Sequence, residues 1–341
     1  MKFTQSIEET MTKVCISGYY GFKNFGDETI LSVLVNHLKN CDVTVFSSNP
    51  DYTMQTYNVK AVRSFDMKNV VKTIQNSDVL ISGGGSLLQD VTSFKSLVYY
   101  ALIIGLGIIF DKKVIIFAQG IGPINNKFAQ IIVKTLLKQC AYVSVRDNNS
   151  FEILKKWGIT GEIVCDPVYS LEIQPTQNSG AIGIQLRDFR SMNYNLLQKL
   201  AMLVSTKFAD KKIEIFSLQE SLDLELCKKF KNIIHSINPD VKTEIVTDDI
   251  ITRISKLDYF IAMRFHAILV ALKCGVKTCA INYDIKVEQL AKSANIPLIS
   301  MDANENMEVI FEKLQNLNSK TLSDFANSKH FDWTHIDKLL F

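Results

Sequence analysis

Residues 79–86 read Val-Leu-Ile-Ser-Gly-Gly-Gly-Ser. A short apolar, β-branched run that stops at glycine is the pattern of a buried strand giving way to a turn. The pattern recurs outward in both directions. Val14–Gly18 runs into Tyr19-Tyr20-Gly21, Val43–Ser47 follows, Val114–Ala118 runs into Gln119-Gly120-Ile121-Gly122-Pro123, and Tyr142–Val145 runs into Arg146-Asp147. A second series comprises Ala181–Leu186, Lys212–Phe216, Leu257–Ala262 and Lys277–Ile281. Helix-length stretches separate most of these runs. That alternation predicts an α/β protein built of βαβ units, with mostly parallel sheets covered by helices on both faces.

The chain has 341 residues, which suits two domains of roughly 150 residues each. Residues 171–180, Leu-Glu-Ile-Gln-Pro-Thr-Gln-Asn-Ser-Gly, carry turn formers without periodicity and read as a connector. The expected division is an N-terminal domain over 1–172, a linker over 173–180, a C-terminal domain over 181–321, and a closing helix over 322–341 that packs back on the first domain.

With 47% hydrophobic and 21% charged residues the composition is globular. The net charge is only +3 and no basic block stands out, so nucleic acid is not an expected partner. Seven cysteines, at 15, 41, 140, 165, 227, 274 and 279, form no CxxC pair and lie mostly in apolar runs. They read as buried free thiols of a reducing compartment rather than as a disulfide framework or a zinc site, and no metal is expected. Glu8 and Glu9 stand where a secretory leader needs apolar residues, so a cytoplasmic location is expected. The most apolar segment, Leu97–Phe110, contains Gly105 and Gly107 and falls short of the about 20 residues that a bilayer span needs. It reads as a buried core helix, leaving at most peripheral membrane contact.

In open parallel sheets ligands bind beyond the carboxyl ends of the strands. The first candidate loop, after Gly18, carries Asn24, Gly26 and Asp27 ahead of an apolar helix, with Asp27 placed to cap it. The same residues suit a turn and cap with no further role. Gly83, Gly84, Gly85 and Ser86 expose backbone N–H groups that, ahead of a helix, could cradle an anion or a polar sugar. The loop matches neither the P-loop nor the dinucleotide fingerprint. Gln119 begins the third such loop.

Of 38 Lys and Arg residues only six are arginines, at 63, 146, 187, 190, 253 and 264. Arg146, Arg187 and Arg264 each follow the end of an expected strand. The planar guanidinium grips a carboxylate or phosphate through two bonds at once, which lysine cannot do. A salt bridge between domains is the plain alternative for each. Of five histidines, at 37, 235, 266, 330 and 335, His266 alone sits at a strand-to-helix switch, two residues from an arginine. Imidazole, with an ordinary pKa of about 6.5, suits proton transfer at neutral pH. Lys286, in Asn282-Tyr283-Asp284-Ile285-Lys286, could add a point charge to an anion site or simply be a solvated lysine at a helix start.

Seven stretches together resemble the polysaccharide pyruvyl transferases, especially the CsaB type of Gram-positive cell-wall biosynthesis. They are GYYGFKNFGDETIL (18–31), ISGGGSLLQDVTS (81–93), AQGIGP (118–123), VSVRD (143–147), CDPVYSL (165–171), MRFHA (263–267) and INYDIKV (281–287). The resemblance keeps order and spacing over nearly the whole chain. It departs at Phe265, where leucine is more frequent, at Asn148-Asn149, where acids are usual, and at residues 185–189, which lack the family's tryptophan.

The resemblance implies a GT-B-like fold of two Rossmann-like domains facing a central cleft. It also implies transfer of pyruvate from phosphoenolpyruvate, as a ketal, onto a sugar with release of phosphate. By the resemblance Arg146, Arg264 and Lys286 bind the donor, and His266 acts with Arg264 in catalysis. Asn24, Asp27, Gly83, Gly84, Gly85, Ser86 and Gln119 are expected to meet the acceptor. That acceptor would be an N-acetylmannosamine residue of a lipid-diphosphate-linked saccharide, a precursor of a secondary cell-wall polymer. Phosphoenolpyruvate is then a co-substrate, and no cofactor is expected. Two rival readings stand beside it: a nucleotide-sugar glycosyltransferase of the same fold, and a non-catalytic sugar- or anion-binding protein.

Overall fold

A computed structural model describes residues 11–174, 176–188 and 194–341. The first ten residues, with Glu8 and Glu9, lie outside it, as do Pro175 of the expected linker, Phe189 and Arg190. Two compact units emerge from the contacts. One comprises residues up to Phe22, Asp27–Pro167 and Phe331–Phe341; the other comprises Lys23–Gly26 and Val168–His330. The break at Pro167/Val168 falls just ahead of the expected linker.

The first unit contains strands β1 (Lys13–Ser17), β2 (Asp42–Ser47), β3 (Lys60–Arg63), β4 (Val79–Ser82), β5 (Gly85–Leu88), β6 (Lys113–Ile121), β7 (Tyr142–Val145) and β8 (Glu162–Ile163). Its helices are α1 (Phe25–His37), α2 (Pro50–Tyr57), α3 (Met67–Gln75), α4 (Phe94–Ile109), α5 (Lys127–Leu137) and α6 (Asn148–Trp157). The strands pair in the order β3-β2-β1-β4-β6-β7-β8, with β5 on β6, and every pairing is parallel. Strands buried on both faces explain why β4 and β6 are nearly unbroken apolar runs. Ser93, Asn126 and Asp147 start α4, α5 and α6 by accepting the N–H of Ser96, Ala129 and Ser150.

The second unit contains β9 (Ala181–Gln185), β10 (Ile213–Phe216), β11 (Thr243–Val246), β12 (Leu257–Ala262), β13 (Lys277–Asn282) and β14 (Leu298–Ser300). Helices α7 (Tyr194–Lys207), α8 (Glu220–Ile237), α9 (Ile250–Ser255), α10 (Phe265–Lys273), α11 (Ile285–Ala294), α12 (Met307–Gln315) and α13 (Ser319–Asn327) accompany them. The sheet order is β11-β10-β9-β12-β13-β14, again wholly parallel. Its core joins Ile182, Ile184, Ile215 and Ile261 of the strands to Leu197, Leu200, Cys227 and Phe230 of α7 and α8.

Both sheets reverse their order of strand addition once, between β1 and β4 and between β9 and β12. That is the switch point where doubly wound folds open a crevice beyond the strand ends. The segments that directly follow these four strands, loops together with the first residues of α1, β5 and α10, hold Asp27, Gly83–Gly85, Arg187, Arg264 and His266.

Several expectations are corrected. The Gly83–Gly85 turn leads into β5, not into a helix, so its N–H groups do not form a helix N-terminus; α4 begins only at Phe94. Strand β6 does not stop at Ala118 but runs to Ile121, which places Gln119 inside the sheet. Asp27 stands in the first turn of α1 rather than capping it; the Asn24 carboxamide accepts the Gly26 N–H instead. Helix α4 is only half buried, with Val98, Leu102 and Ile109 exposed. Residues 322–341 contribute the end of α13 and a separate α14 (Thr334–Leu340), not one helix. Helix α14 belongs to the first unit, where Thr12 and Lys113 donate to its Leu340 and Leu339 carbonyls. No helix among the described residues is long and apolar enough to cross a membrane.

Candidate functional site

In the second unit the end of β12 is fixed by one buried side chain. The Gln185 carboxamide oxygen accepts the N–H groups of Met263 (3.1 Å) and Arg264 (2.8 Å). Arg264 then occupies the position just before α10 in an extended conformation. Its side chain is buried, and its Nη2 donates to both oxygens of Asp223 at 2.9 Å. Asp223 is fully buried and lies in the first turn of α8. Its Oδ2 also accepts the N–H of Leu218 and of Gln219, so this carboxylate orders the β10–α8 turn as well as the arginine. The ion pair occupies one terminal nitrogen only. Arg264 Nε is buried without a hydrogen-bond partner, and a buried N–H of that kind calls for an acceptor.

His266 is the second residue of α10, edge-on to Phe265 at 5.3 Å. The segment Lys23–Gly26 lies against this part of the unit. Phe25 donates its N–H to the Leu218 carbonyl, and Asn24 Nδ2 donates to Gln219 Oε1 at 3.2 Å. A side chain at position 26 would fall 2.2 Å from His266 Nδ1. Only glycine there lets the imidazole sit where it does. The unit thus gathers Asn24, Gly26, Gln219, Asp223, Arg264 and His266. Lys286 lies in the first turn of α11, where Asp284 caps the helix by accepting the Lys286 N–H. Arg187 stacks over the Tyr283 ring at 5.7 Å.

The first unit holds the other candidates. Ala118 adopts a left-handed φ of 45° where β6 bulges against β7. This strained turn directs Gln119 inward. Its Nε2 donates to the carbonyls of Ser82 (3.1 Å) and Gly83 (2.8 Å) and to Ser82 Oγ (2.7 Å). Gln119 is therefore fully buried and braces the glycine turn. Gly83 packs on Tyr20; a side chain there would fall 1.9 Å from the phenol oxygen. Gly85 has φ +103°, and a side chain would meet Asp27 Oδ1 at 2.8 Å, so both conformation and space require glycine. Ser86 is exposed on β5. Arg146 Nη1 donates to Asp166 Oδ2 at 2.7 Å, both side chains being largely buried.

Burial and then the neighbouring Asp27 and Glu28 carboxylates push the Tyr20 phenol well above its ordinary range. Burial, followed by Glu28, does the same to Tyr57. Tyr57 stays protonated and donates to Glu28 Oε2 at 2.7 Å, while Glu28 Oε1 accepts the Gly21 N–H. Glu28 is thereby committed to holding the turn. Burial raises the thiols of Cys15, Cys140, Cys227 and Cys274 to about 12, which keeps them unreactive. Among the described residues no group of three His, Cys, Asp or Glu side chains is placed to hold a metal ion.

Sequence reading missed Asp223, Gln185, Gln219 and Asp166 as partners of the candidates. Asp166 stood in the CDPVYSL stretch, so a signal existed. Asp223 is 41 residues from Arg264, and nothing local marks it.

The sequence profile of the family described as polysaccharide pyruvyl transferase matches residues 24–285, a span that holds Asn24, Arg146, Asp223, Arg264 and His266. The chain belongs to the polysaccharide pyruvyl transferase family. No curated protein sequence matches it. Its fold is GT-B-like. HepE of Anabaena, solved with UDP-glucose, superposes with a TM-score of 0.63 at 12% identity, covering 96% of this chain and 98% of that one. A glycosyltransferase from Rickettsia africae gives 0.60 at 13% identity, covering 97% and 96%. UDP-GlcNAc 2-epimerase from Neisseria meningitidis gives 0.59 at 12%, covering 93% and 94%.

Removing one partner of a buried ion pair leaves the other charge uncompensated, which costs roughly 3–5 kcal/mol. Asp223→Ala should lose that much stability in urea unfolding, and Asp223→Ala in an Arg264→Met background much less. Equal losses in both backgrounds would show that the two side chains are not energetically coupled.

Proposed function

We propose that the protein transfers the pyruvyl group of phosphoenolpyruvate to two hydroxyls of one sugar, forming a ketal and releasing phosphate. The observation that carries this reading is Arg264. It is buried and prepositioned by Asp223 and Gln185, has an unpaired Nε–H, and stands two residues from His266 inside the span matched to the family. A guanidinium held in this way favours an oxyanion that accepts its N–H groups, such as the donor carboxylate or the departing phosphate. Arg146 and Lys286 are the further donor cations, by resemblance.

In this mechanism His266 delivers a proton to the methylene carbon of the donor, which becomes a methyl group. The adjacent carbon becomes electrophilic, and a sugar oxygen adds to it as its own proton is taken up. The carbon–oxygen bond to phosphate then breaks, phosphate leaves with the bonding pair, and the second hydroxyl closes the ketal and gives up its proton. Asn24, Asp27, Gly83, Gly84, Gly85, Ser86 and Gln119 are proposed on the acceptor side. The buried Gln119 does so by shaping the glycine turn rather than by touching sugar. The acceptor is proposed to be an N-acetylmannosamine residue of a lipid-diphosphate-linked cell-wall saccharide at the cytoplasmic face, with no cofactor required.

Arg264→Lys keeps the charge but loses the planar fork. Its catalytic efficiency, measured as phosphate release from phosphoenolpyruvate with saccharide acceptors, should fall about a hundredfold, the cost of a misplaced contact at a reacting centre. Near-normal turnover in the folded variant, or preferential binding of UDP or GDP, would count against the donor assignment. His266→Gln keeps hydrogen-bonding capacity but cannot carry the proton. It should retain donor affinity by calorimetry while turnover drops about 100- to 10,000-fold. Collapse of donor affinity with turnover preserved at saturation would make His266 a binding group instead.

A further inference from the structure

The first unit carries an apolar face that its own core does not use. On α4, Phe94, Val98, Leu102 and Ile109 are exposed. Their spacing of four, four and seven residues puts them on one stripe of the helix. The opposite side, with Leu97, Ile103, Ile104 and Gly107, is buried on the sheet. On α5, Phe128, Ile131 and Ile132 are likewise exposed, Phe128 to 79%, and they too share one stripe. The two helices touch: a side chain at Gly105 of α4 would lie 3.6 Å from Leu136 Cδ2 of α5. Their starts are tied as well, because Asp90, ahead of α4, accepts the N–H groups of Asn125 and Asn126, ahead of α5. Single exposed apolar residues are ordinary, but a joined face of seven on two adjacent helices is not.

The charge carried by the two helices themselves has one sign, Asp90 and Asp111 standing just outside their ends. Neither helix contains Asp or Glu, while Lys95 lies beside the α4 stripe and Lys127, Lys134 and Lys138 line one edge of the α5 stripe. Apolar side chains flanked by lysines match a bilayer interface, with the rings and branched chains entering the acyl boundary and the ammonium groups at anionic headgroups. A second copy fits less well, since a two-fold contact of this face would set lysine rows near one another.

We propose that the joint face of α4 and α5 docks the protein peripherally on an anionic phospholipid surface. The inference stands independently of the reaction proposed above, because it uses none of the residues assigned to donor or acceptor.

The test is co-sedimentation of the full-length protein with phosphatidylcholine vesicles, with and without phosphatidylglycerol, beside light scattering of the free protein. Binding should require phosphatidylglycerol and be released by salt. It should weaken about fivefold for each of Lys127, Lys134 and Lys138 changed to Gln. Phe128→Ser with Ile131→Ser should abolish it while circular dichroism and phosphate release with a water-soluble acceptor stay unchanged. No vesicle binding, equal binding to neutral vesicles, or a dimer broken by Phe128→Ser and Ile131→Ser would each overturn the proposal.

Discussion

The buried pairing of Arg264 with Asp223 is the constraint on which the candidate site rests. Each charge alone would cost several kcal/mol in the interior. Together they lock the turn after β10 to the turn after β12, because Asp223 also receives the Leu218 and Gln219 N–H groups. Gln185, at the end of β9, holds the same two residues of the β12 turn through its carboxamide. Three neighbouring strand ends are therefore joined by three side chains, those of Gln185, Asp223 and Arg264. His266 inherits its position from this arrangement and from the absence of a side chain at Gly26. The arrangement places a cation without leaving it free to swing, which is what preorganised electrostatic stabilisation requires.

The first unit reaches comparable rigidity by another route. There the sheet itself is distorted: Ala118 takes a left-handed conformation, and the bulge turns Gln119 onto the Ser82 and Gly83 carbonyls. Gly83 and Gly85 are required by the approach of Tyr20 and Asp27 rather than by exposure of N–H groups to a ligand. The glycine-rich texture of the loop is thus largely a packing texture, and Asp27 is the group there with chemistry to offer. Arg146 and Asp166 repeat, in that unit, the pattern of a largely buried arginine held by a buried acid.

The fold was legible where periodicity and burial coincide. Val79–Ser82, Tyr142–Val145 and Leu257–Ala262 are strands from end to end as read, because they are mainly apolar runs in strands that have a neighbour on both sides of a parallel sheet. Lys60–Arg63, Glu162–Ile163, Thr243–Val246 and Leu298–Ser300 escaped reading because edge strands are short and carry polar residues. The glycine run hid β5, since glycine weakens any strand pattern. The scarcity of arginine drew attention to Arg146, Arg187 and Arg264, but their partners depend on tertiary contacts. Asp223 and Asp166 become meaningful only once α8 and the end of β8 are in place. The Leu97–Phe110 segment reads as a buried core helix because an apolar run carries no mark of which side faces water.

The central claim is ketal formation from phosphoenolpyruvate with protonation of its methylene carbon. Mass and NMR spectra of the product formed in deuterated water from phosphoenolpyruvate and a wall-polymer saccharide test it most directly. The account predicts release of phosphate and a sugar-linked pyruvate whose methyl group carries one solvent deuterium, with two sugar oxygens bound to the same carbon. A product that retains the carbon–carbon double bond as an enol ether, or no transfer from phosphoenolpyruvate to any saccharide, would contradict it.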